Sequence, residues 1–355
     1  MSNRVPPLLI TKLLTDTERR RVSDLARKKF VLKLAPGIYV DKERWWPLWP
    51  SEKAYIRAVA VGATQPKGIL CGRAAARVLG LALEHSDRNQ PVDVGRFPNA
   101  NTRSLHGVRT RLIPKVAVQT AQRVTVNVPV ALEAKVVHTN NTNAARTTNT
   151  TAPLTVTVAH PAYTVFTLAA WHSLEDAVVA AEHALRTGAL TLHTLHRAAP
   201  HFTNLAGAAT FRQALRLINP HSESPRESGL KCKFFRAGLP APLQQPIVHD
   251  SARSPIGRPD FLFDGTTGLI VEYDGDGKYG SPDNTEEAFL ALHNERRREK
   301  RLLSVGLRMF RVHSNSYDDP EMMPDLIQAF HQQEKLRGGA AVPRCLIEGG
   351  YRAWV

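Results

Sequence analysis

Asp260 ends the run Gly257-Arg258-Pro259-Asp260, and eleven residues further on begins Val271-Glu272-Tyr273-Asp274-Gly275, with Lys278-Tyr279 close behind. One carboxylate beside a short apolar run, and two more inside the next, suit a hard divalent cation held through oxygen ligands. Mg²⁺ or Mn²⁺ in that position would polarise a phosphodiester and supply a hydroxide nucleophile. The chemistry open to these residues is therefore metal-dependent hydrolysis of a nucleic-acid backbone.

The elements that must position them can be read from the flanking residues. Phe261-Leu262-Phe263 and Leu269-Ile270-Val271 are separated by Asp264-Gly265-Thr266-Thr267-Gly268, which predicts strand, turn and strand. Residues i and i+2 of a strand share a side, so Glu272 and Asp274 should project together, and the hairpin should return them towards Asp260. Carboxylates brought so close repel one another unless a positive charge joins them. Glu272 between Val271 and Tyr273 is also an unusual residue for a strand that only fills a core. The competing reading is that Asp260 and Asp274-Gly275 are solvated turn residues.

Further motifs surround this hairpin in order: Ser224-Pro225-Arg226-Glu227-Ser228, Gly238-Leu239-Pro240, Gln245-Pro246, then Glu295 to Arg298, Leu302, Gly306 and Phe310-Arg311-Val312. With them, the segment from about Ser224 to Phe330 resembles the nuclease-like domains related to very-short-patch-repair endonucleases, within the broader PD-(D/E)xK group. The resemblance implies a helix, a mixed sheet and a second helix, with Glu227 from the first helix joining Asp260 and Glu272 around the metal. In the mechanism it implies, Asp260 and Glu272 bind Mg²⁺, Glu227 and Asp274 complete or orient the shell, and Lys278 neutralises the phosphate. The chain departs from the group's pattern at one place: two residues after the second acid, where the group has lysine, stands Asp274. A cation near the scissile phosphate normally stabilises developing charge. Lys278, Arg298 and Lys300 are the candidates for that role.

With 355 residues the chain can bury more than one core. Cys71, Cys232 and Cys345 are widely spaced, with neither a CxxC pair nor a histidine at zinc-ligand spacing, which argues against a disulfide scaffold or structural zinc and fits a reducing cytoplasm. The Leu8-Leu9-Ile10 run is too short for a signal peptide or a membrane span. No GxxxxGK[ST] loop is present, and Asp274-Gly275-Asp276-Gly277 fails the spacing of a calcium loop. The net charge is +15, and its placement is uneven: residues 1–221 hold 29 Lys and Arg against 13 Asp and Glu, while residues 222–355 hold 18 against 19. A basic first part beside an acidic site suits a protein that grips phosphates with one region and acts on them with another. The fourteen histidines form no HExxH and are read as surface or packing residues, with His293 a candidate neighbour of the site.

Thr15-Asp16-Thr17-Glu18 predicts a capped helix start, with Val22, Leu25 and Ala26 at helical spacing. Phe30 to Leu34, Pro36-Gly37 and Ile38-Tyr39-Val40 then predict a strand, turn, strand wing, so helix and wing together read as a winged helix-turn-helix. Lys28, Lys29 and Lys33 would meet a DNA backbone, positioning the protein and leaving base reading to other residues. Helices are predicted over Ser51 to Val61 and Gly72 to Leu81. Through Leu34 to Val40 and Leu70-Cys71-Gly72-Arg73-Ala74-Ala75-Ala76 to Leu81, this part resembles the N-terminal domain of AbiEi-type antitoxins. That likeness implies DNA binding and autoregulation.

Between them, Val116 to Val137 alternates β-branched and polar residues and predicts one or two strands, His138 to Thr151 is a Thr/Asn-rich insertion expected to be disordered, and Val156-Thr157-Val158 is expected to close the sheet. Ser173-Leu174-Glu175-Asp176 begins an amphipathic helix that Gly188 stops. Pro161 to Gly188 also resembles a connector found with antitoxin-like proteins, except that Tyr163 and Thr167 stand where Arg and Asp are expected. The chain is thus expected to be a cytoplasmic α/β and α+β multidomain protein: a winged helix over 1–90, a basic α+β connector over 91–219, a restriction-endonuclease-like mixed sheet flanked by helices over 220–336, and a tail over 337–355. The expected partner is double-stranded DNA, with a toxin or a second copy of the chain as further partners. The rival class is a non-catalytic DNA-binding regulator with a degenerate nuclease domain. An RNA-acting enzyme would share the chemistry.

Overall fold

Thr15 starts the first helix: its hydroxyl accepts from the Glu18 amide at 3.3 Å, and in the computed structural model α1 runs from Asp16 to Arg27. The chain is mixed α/β and divides within one helix into two compact units, 1–211 and 212–355. The structure describes residues 5–84, 90–97, 106–133, 150–265, 267–275, 285–338, 345–352 and 354. Lys278 and residues 138–149 of the Thr/Asn-rich insertion lie outside them.

In the first unit β1 (Leu8–Ile10), β2 (Val31–Ala35) and β3 (Ile38–Asp41) form an antiparallel sheet in the order β1-β3-β2. The β2–β3 turn needs Gly37, which sits at φ 75° and where a Cβ would lie 2.8 Å from Thr11 Oγ1. Asp41 Oδ1 accepts from the Glu43 and Arg44 amides and caps α2 (Lys42–Trp45). Helix α3 (Pro50–Thr64) follows, started by proline in its first turn.

A second, five-stranded sheet takes β4 (Ile69–Leu70), β5 (Val92–Arg96), β6 (Val108–Leu112), β7 (Gln122–Pro129) and β8 (Thr151–Val158) in the order β6-β5-β4-β8-β7. Val128, Val130, Val156 and Val158 join the same core as Leu8, Val40 and Ile56, while Thr125 and Asn127 are exposed, the alternation expected of β7. The strand expected from Val116 begins only at Gln122. Residues Lys115–Gln119 are instead α5, because the Ala117 and Val118 amides both turn back to the Pro114 carbonyl at 3.0 and 3.4 Å. Strands on both sides of residue 90 therefore share one sheet.

Helices α4 (Gly72–Val78), α6 (Pro161–Trp171), α7 (Leu174–Arg186) and α8 (Leu192–Ala198) complete the unit, and α9 (Ala208–Leu217) contains the division. Ser173 caps α7 and Gly188, at φ 75°, stops it. Tyr163 packs its ring against Phe166 and Phe202, and Thr167 Oγ1 accepts from the Gly72 amide at 3.0 Å. Those two positions fill a core and a backbone contact where an ion pair is expected in relatives. Asp93 of β5, 1% exposed, accepts from Arg109 Nε at 2.8 Å and stands 2.9 Å from His172 Nε2.

The second unit begins with α10 (Pro225–Arg236) and contains β9 (Leu243–Gln244), β10 (Ile247–His249), β11 (Pro255–Gly257), β12 (Phe261–Phe263), β13 (Leu269–Asp274), α11 (Thr285–Ser304), β14 (Arg308–His313), α12 (Met322–Arg337), β15 (Leu346–Glu348) and β16 (Tyr351–Arg352). Its main sheet has the order β14-β13-β12-β9-β16; β13 and β14 are parallel and the other pairs antiparallel. A smaller antiparallel sheet has the order β11-β10-β15. The tail thus supplies an edge strand to each. Phe261, Phe263, Leu269 and Val271 pack with Leu230, Phe234, Leu326 and Phe330 on one face, and Leu262 and Ile270 pack with Leu302 and Leu307 on the other. Burial on both faces is why β12 and the first half of β13 are continuously apolar. Among the described residues, no helix is long and apolar enough to cross a membrane.

Candidate functional site

Glu272 breaks that apolar run on the face shared by Ile270 and α11, and Asp274 follows it at the strand end. The register sets Phe261 against Val271, so Asp260, one residue before β12, lies beside Glu272. Asp260 Oδ2 accepts from the Tyr273 amide at 2.9 Å, and its carbonyl accepts from the Gln245 amide at 3.0 Å. Gln245 takes a left-handed backbone at φ 51°, rare outside glycine, and from it directs Nε2 at two acids. Nε2 donates to Asp260 Oδ1 and to Glu227 Oε2, each at 3.3 Å.

Glu227 reaches this place from the first turn of α10. Its amide donates to the capping Ser224 hydroxyl at 3.1 Å, and its Oε2 accepts from the Glu223 amide at 2.8 Å. Behind it, the buried Gln244 accepts from Asn219 Nδ2 at 2.7 Å and Lys231 Nζ at 3.4 Å, and donates to Ser222 Oγ at 3.1 Å. This buried polar network fixes the β9 backbone from which Gln245 departs.

On the other side stand two arginines. Arg298 Nη2, from α11, donates to both oxygens of Glu272 at 2.8 and 2.9 Å and to Glu295 Oε1 at 2.8 Å. Arg311 of β14 pairs in register with Glu272, and donates to Asp274 Oδ2 at 2.8 Å, Glu295 Oε1 at 2.8 Å and Glu299 Oε2 at 3.2 Å. The positive charge expected among the acids is thus present as guanidinium groups. Lys300, Arg296, Arg297 and His293 are exposed on the same helix.

Burial, and after it the charge of Asp260, pushes the Glu227 carboxyl up to about 7, against the hydrogen bonds from Glu223 and Ser224. Glu272 is raised too, first by burial and later by Asp260, with Arg298 and Arg311 pulling the other way. Glu295, less buried, is pulled down to about 2, first by its hydrogen bond from Arg298. Glu227 and Glu272 therefore each feel the charge of Asp260, while Asp274 accepts from Arg311.

Carboxylates are the donors a hard cation takes, and Mg²⁺ commonly uses one or two of them together with water. The Glu227 and Asp260 pair fits that mode, with the Glu227 carboxyl raised by burial and by the charge of Asp260. No group of three or more His, Cys, Asp and Glu that could hold a metal stands among the described residues, and Glu272 and Asp274 are engaged by arginine. Sequence reasoning assigned no role to Gln245, Glu295, Glu299 or Arg311. Glu295, Arg298 and Glu299, at helical i, i+3 and i+4 spacing, were the signal that could have found the cluster.

In the first unit, Lys28 and Lys29 border a surface groove with Phe30, Lys42 and Trp46. Lys33 is exposed on β2. Trp46 is 73% exposed, and Lys53 Nζ lies 5.7 Å from its ring centroid. A scan against models of known protein families finds no match to this chain, and a search of curated proteins finds none either.

Proposed function

We propose that the chain is a cytoplasmic, metal-dependent DNA endonuclease, related to very-short-patch-repair endonucleases in its second unit and to AbiEi-type antitoxins in its winged first part, and that it serves phage defence or DNA repair. The observation that carries this reading is the trio Glu227, Asp260 and Glu272. Asp260 is coupled by charge to both glutamates and joined to Glu227 through one Gln245 amide, at the end of a buried sheet. Such a concentration of acid is costly to a fold unless it is used.

In this reading Glu227 and Asp260 would hold Mg²⁺ or Mn²⁺, with Glu272 joining them on exchanging its Arg298 contact for the ion, which when bound would polarise the phosphate and lower the pKa of its water. Gln245 keeps Glu227 and Asp260 at fixed spacing. Arg298, and Lys278 from the segment outside the described residues, neutralise the phosphate in place of the lysine that Asp274 replaces. Lys28, Lys29 and Lys33 grip the duplex backbone.

The test is cleavage of supercoiled plasmid and single-stranded DNA by the purified chain with Mg²⁺, Mn²⁺ or EDTA, beside Asp260→Ala. Metal-dependent nicking that Asp260→Ala abolishes while its melting curve stays cooperative is the expected result. Nicking that survives the substitution removes the site assignment. The specific observation favouring the regulator reading is the Arg298 clamp on Glu272. A chain that shifts promoter DNA in a salt-sensitive way but never cuts it would support that reading.

A further inference from the structure

Trp46 ends α2 with its side chain in the open: the residue is 73% exposed, where tryptophan is usually covered. It lines a surface groove of about 880 Å³ together with Phe30, Pro47, Lys28, Lys29 and Lys42. Phe30 is exposed as well. Two acids share this lining, but Asp41 is nearly buried and gives Oδ1 to the Glu43 and Arg44 amides, which leaves Glu43 as the exposed carboxylate. Charge alone therefore does not single the groove out. Exposed aromatic rings set beside lysines do.

Backbone bonds hold the walls. The Lys42 amide donates to the Phe30 carbonyl at 3.0 Å, which joins the corner after α1 to the start of α2, and the Trp46 amide donates to the Lys42 carbonyl at 3.1 Å. Lys53 of α3 donates from Nζ to the Trp46 carbonyl at 2.9 Å and stands 5.7 Å from the ring centroid, so the indole is steadied from α3 while most of it stays open to solvent. A ring placed in advance gives up little freedom when a flat partner stacks on it. The flat partner that suits neighbouring lysines is a nucleic-acid base, since stacking accepts any base while the cations follow the phosphates. Bases inside a duplex are stacked on one another and offer no face, so the groove fits an unpaired base.

We propose that this groove binds single-stranded DNA, with an unpaired base stacked on Trp46 beside Phe30 and the adjoining phosphates against Lys28, Lys29 and Lys42. The basic excess up to position 221, 29 residues against 13, supplies the long-range attraction. Resting on the reading above that Lys28 and Lys29 meet DNA, the proposal names the substrate as a duplex that carries a single-stranded stretch.

Fluorescence anisotropy of the full chain in EDTA tests it with labelled DNAs: a blunt duplex, the same duplex with a short single-stranded tail, and one whose tail keeps its phosphates but lacks bases. The tailed duplex should bind about tenfold more tightly than the other two. Trp46→Ala should erase that advantage and leave the blunt duplex unchanged, while Trp46→Phe should keep most of it. Trp49→Ala removes a residue that is 65% exposed but outside the groove lining, and should alter the advantage less than about twofold. Equal binding of the tails with and without bases overturns the proposal, and leaves the lysine reading standing as long as the blunt duplex is still held. A Trp46→Ala loss of equal size on every DNA would make the residue structural and overturn it too. Failure to bind any of these DNAs, with or without binding to anionic lipid vesicles, would remove both readings.

Discussion

Glu227 sits in surroundings that favour its neutral form, with Asp260 across a shared amide and burial around it. A carboxyl held at about 7 when folded, against about 4.3 when unfolded, binds more protons in the folded state between those values. Its contribution to stability is therefore lost as pH rises from about 4.3 to about 7. Glu227→Gln removes that titration and keeps an acceptor for the Glu223 amide. The variant should be more stable than the parent by up to ~3 kcal/mol at pH 8, with the gain vanishing near pH 4.5. Denaturant melts at the two pH values measure it, and a gain of equal size at both would show that charge is not the cause. Millimolar Mg²⁺ should narrow the difference at pH 8 by stabilising the parent alone, since a bound cation favours the ionised acid.

Helix α11 is the element that decides what the acids do, because it carries Glu295, Arg298 and Glu299 to the sheet face where Glu272 projects. The hairpin of β12 and β13 was legible in the sequence, since its two short apolar runs and the turn residues between them are local. The arginine clamp was not: the spacing of Glu295, Arg298 and Glu299 marks one face of α11, but Glu272 meets Arg298 and Arg311 only across long stretches of chain. Pairing over distance also hid β15 and β16, each too short to carry a pattern before β10 and β9 supply their partners. In α5 the apolar spacing of Val116 and Val118 mimicked a strand, and only the backbone bonds to Pro114 separate the two. Arg298→Met should leave the buried Glu272 facing Arg311, 3.9 Å away. Removing one partner of a buried pair costs about 3 kcal/mol, and the loss should be larger at pH 8 than at pH 5, where the raised Glu272 carboxyl can protonate. A change under about 0.5 kcal/mol at both values would mean the clamp is no more than a surface ion pair.

Charge is divided along the chain in a way no single element explains: 29 basic against 13 acidic residues up to position 221, and 18 against 19 beyond it. Near balance in the second part follows from acids that are matched by arginine within the site. Part of the excess in the first part, Lys28, Lys29 and Lys33, stands in exposed positions at the end of α1 and on β2. Lys29 holds a left-handed backbone at φ 63°, which turns the chain sharply between the helix and the strand and keeps the lysines together at that corner. If these residues meet phosphates, each releases about 0.9 of a counterion on binding duplex DNA. Replacing all three with glutamine should then flatten the slope of log K against log salt by about 2.7, weakening binding to every duplex sequence alike. Fluorescence anisotropy of a labelled duplex across a salt series gives the slope directly. Weaker binding with an unchanged slope would place the phosphate contacts elsewhere on the basic unit, and a loss confined to one sequence would make these lysines readers of bases.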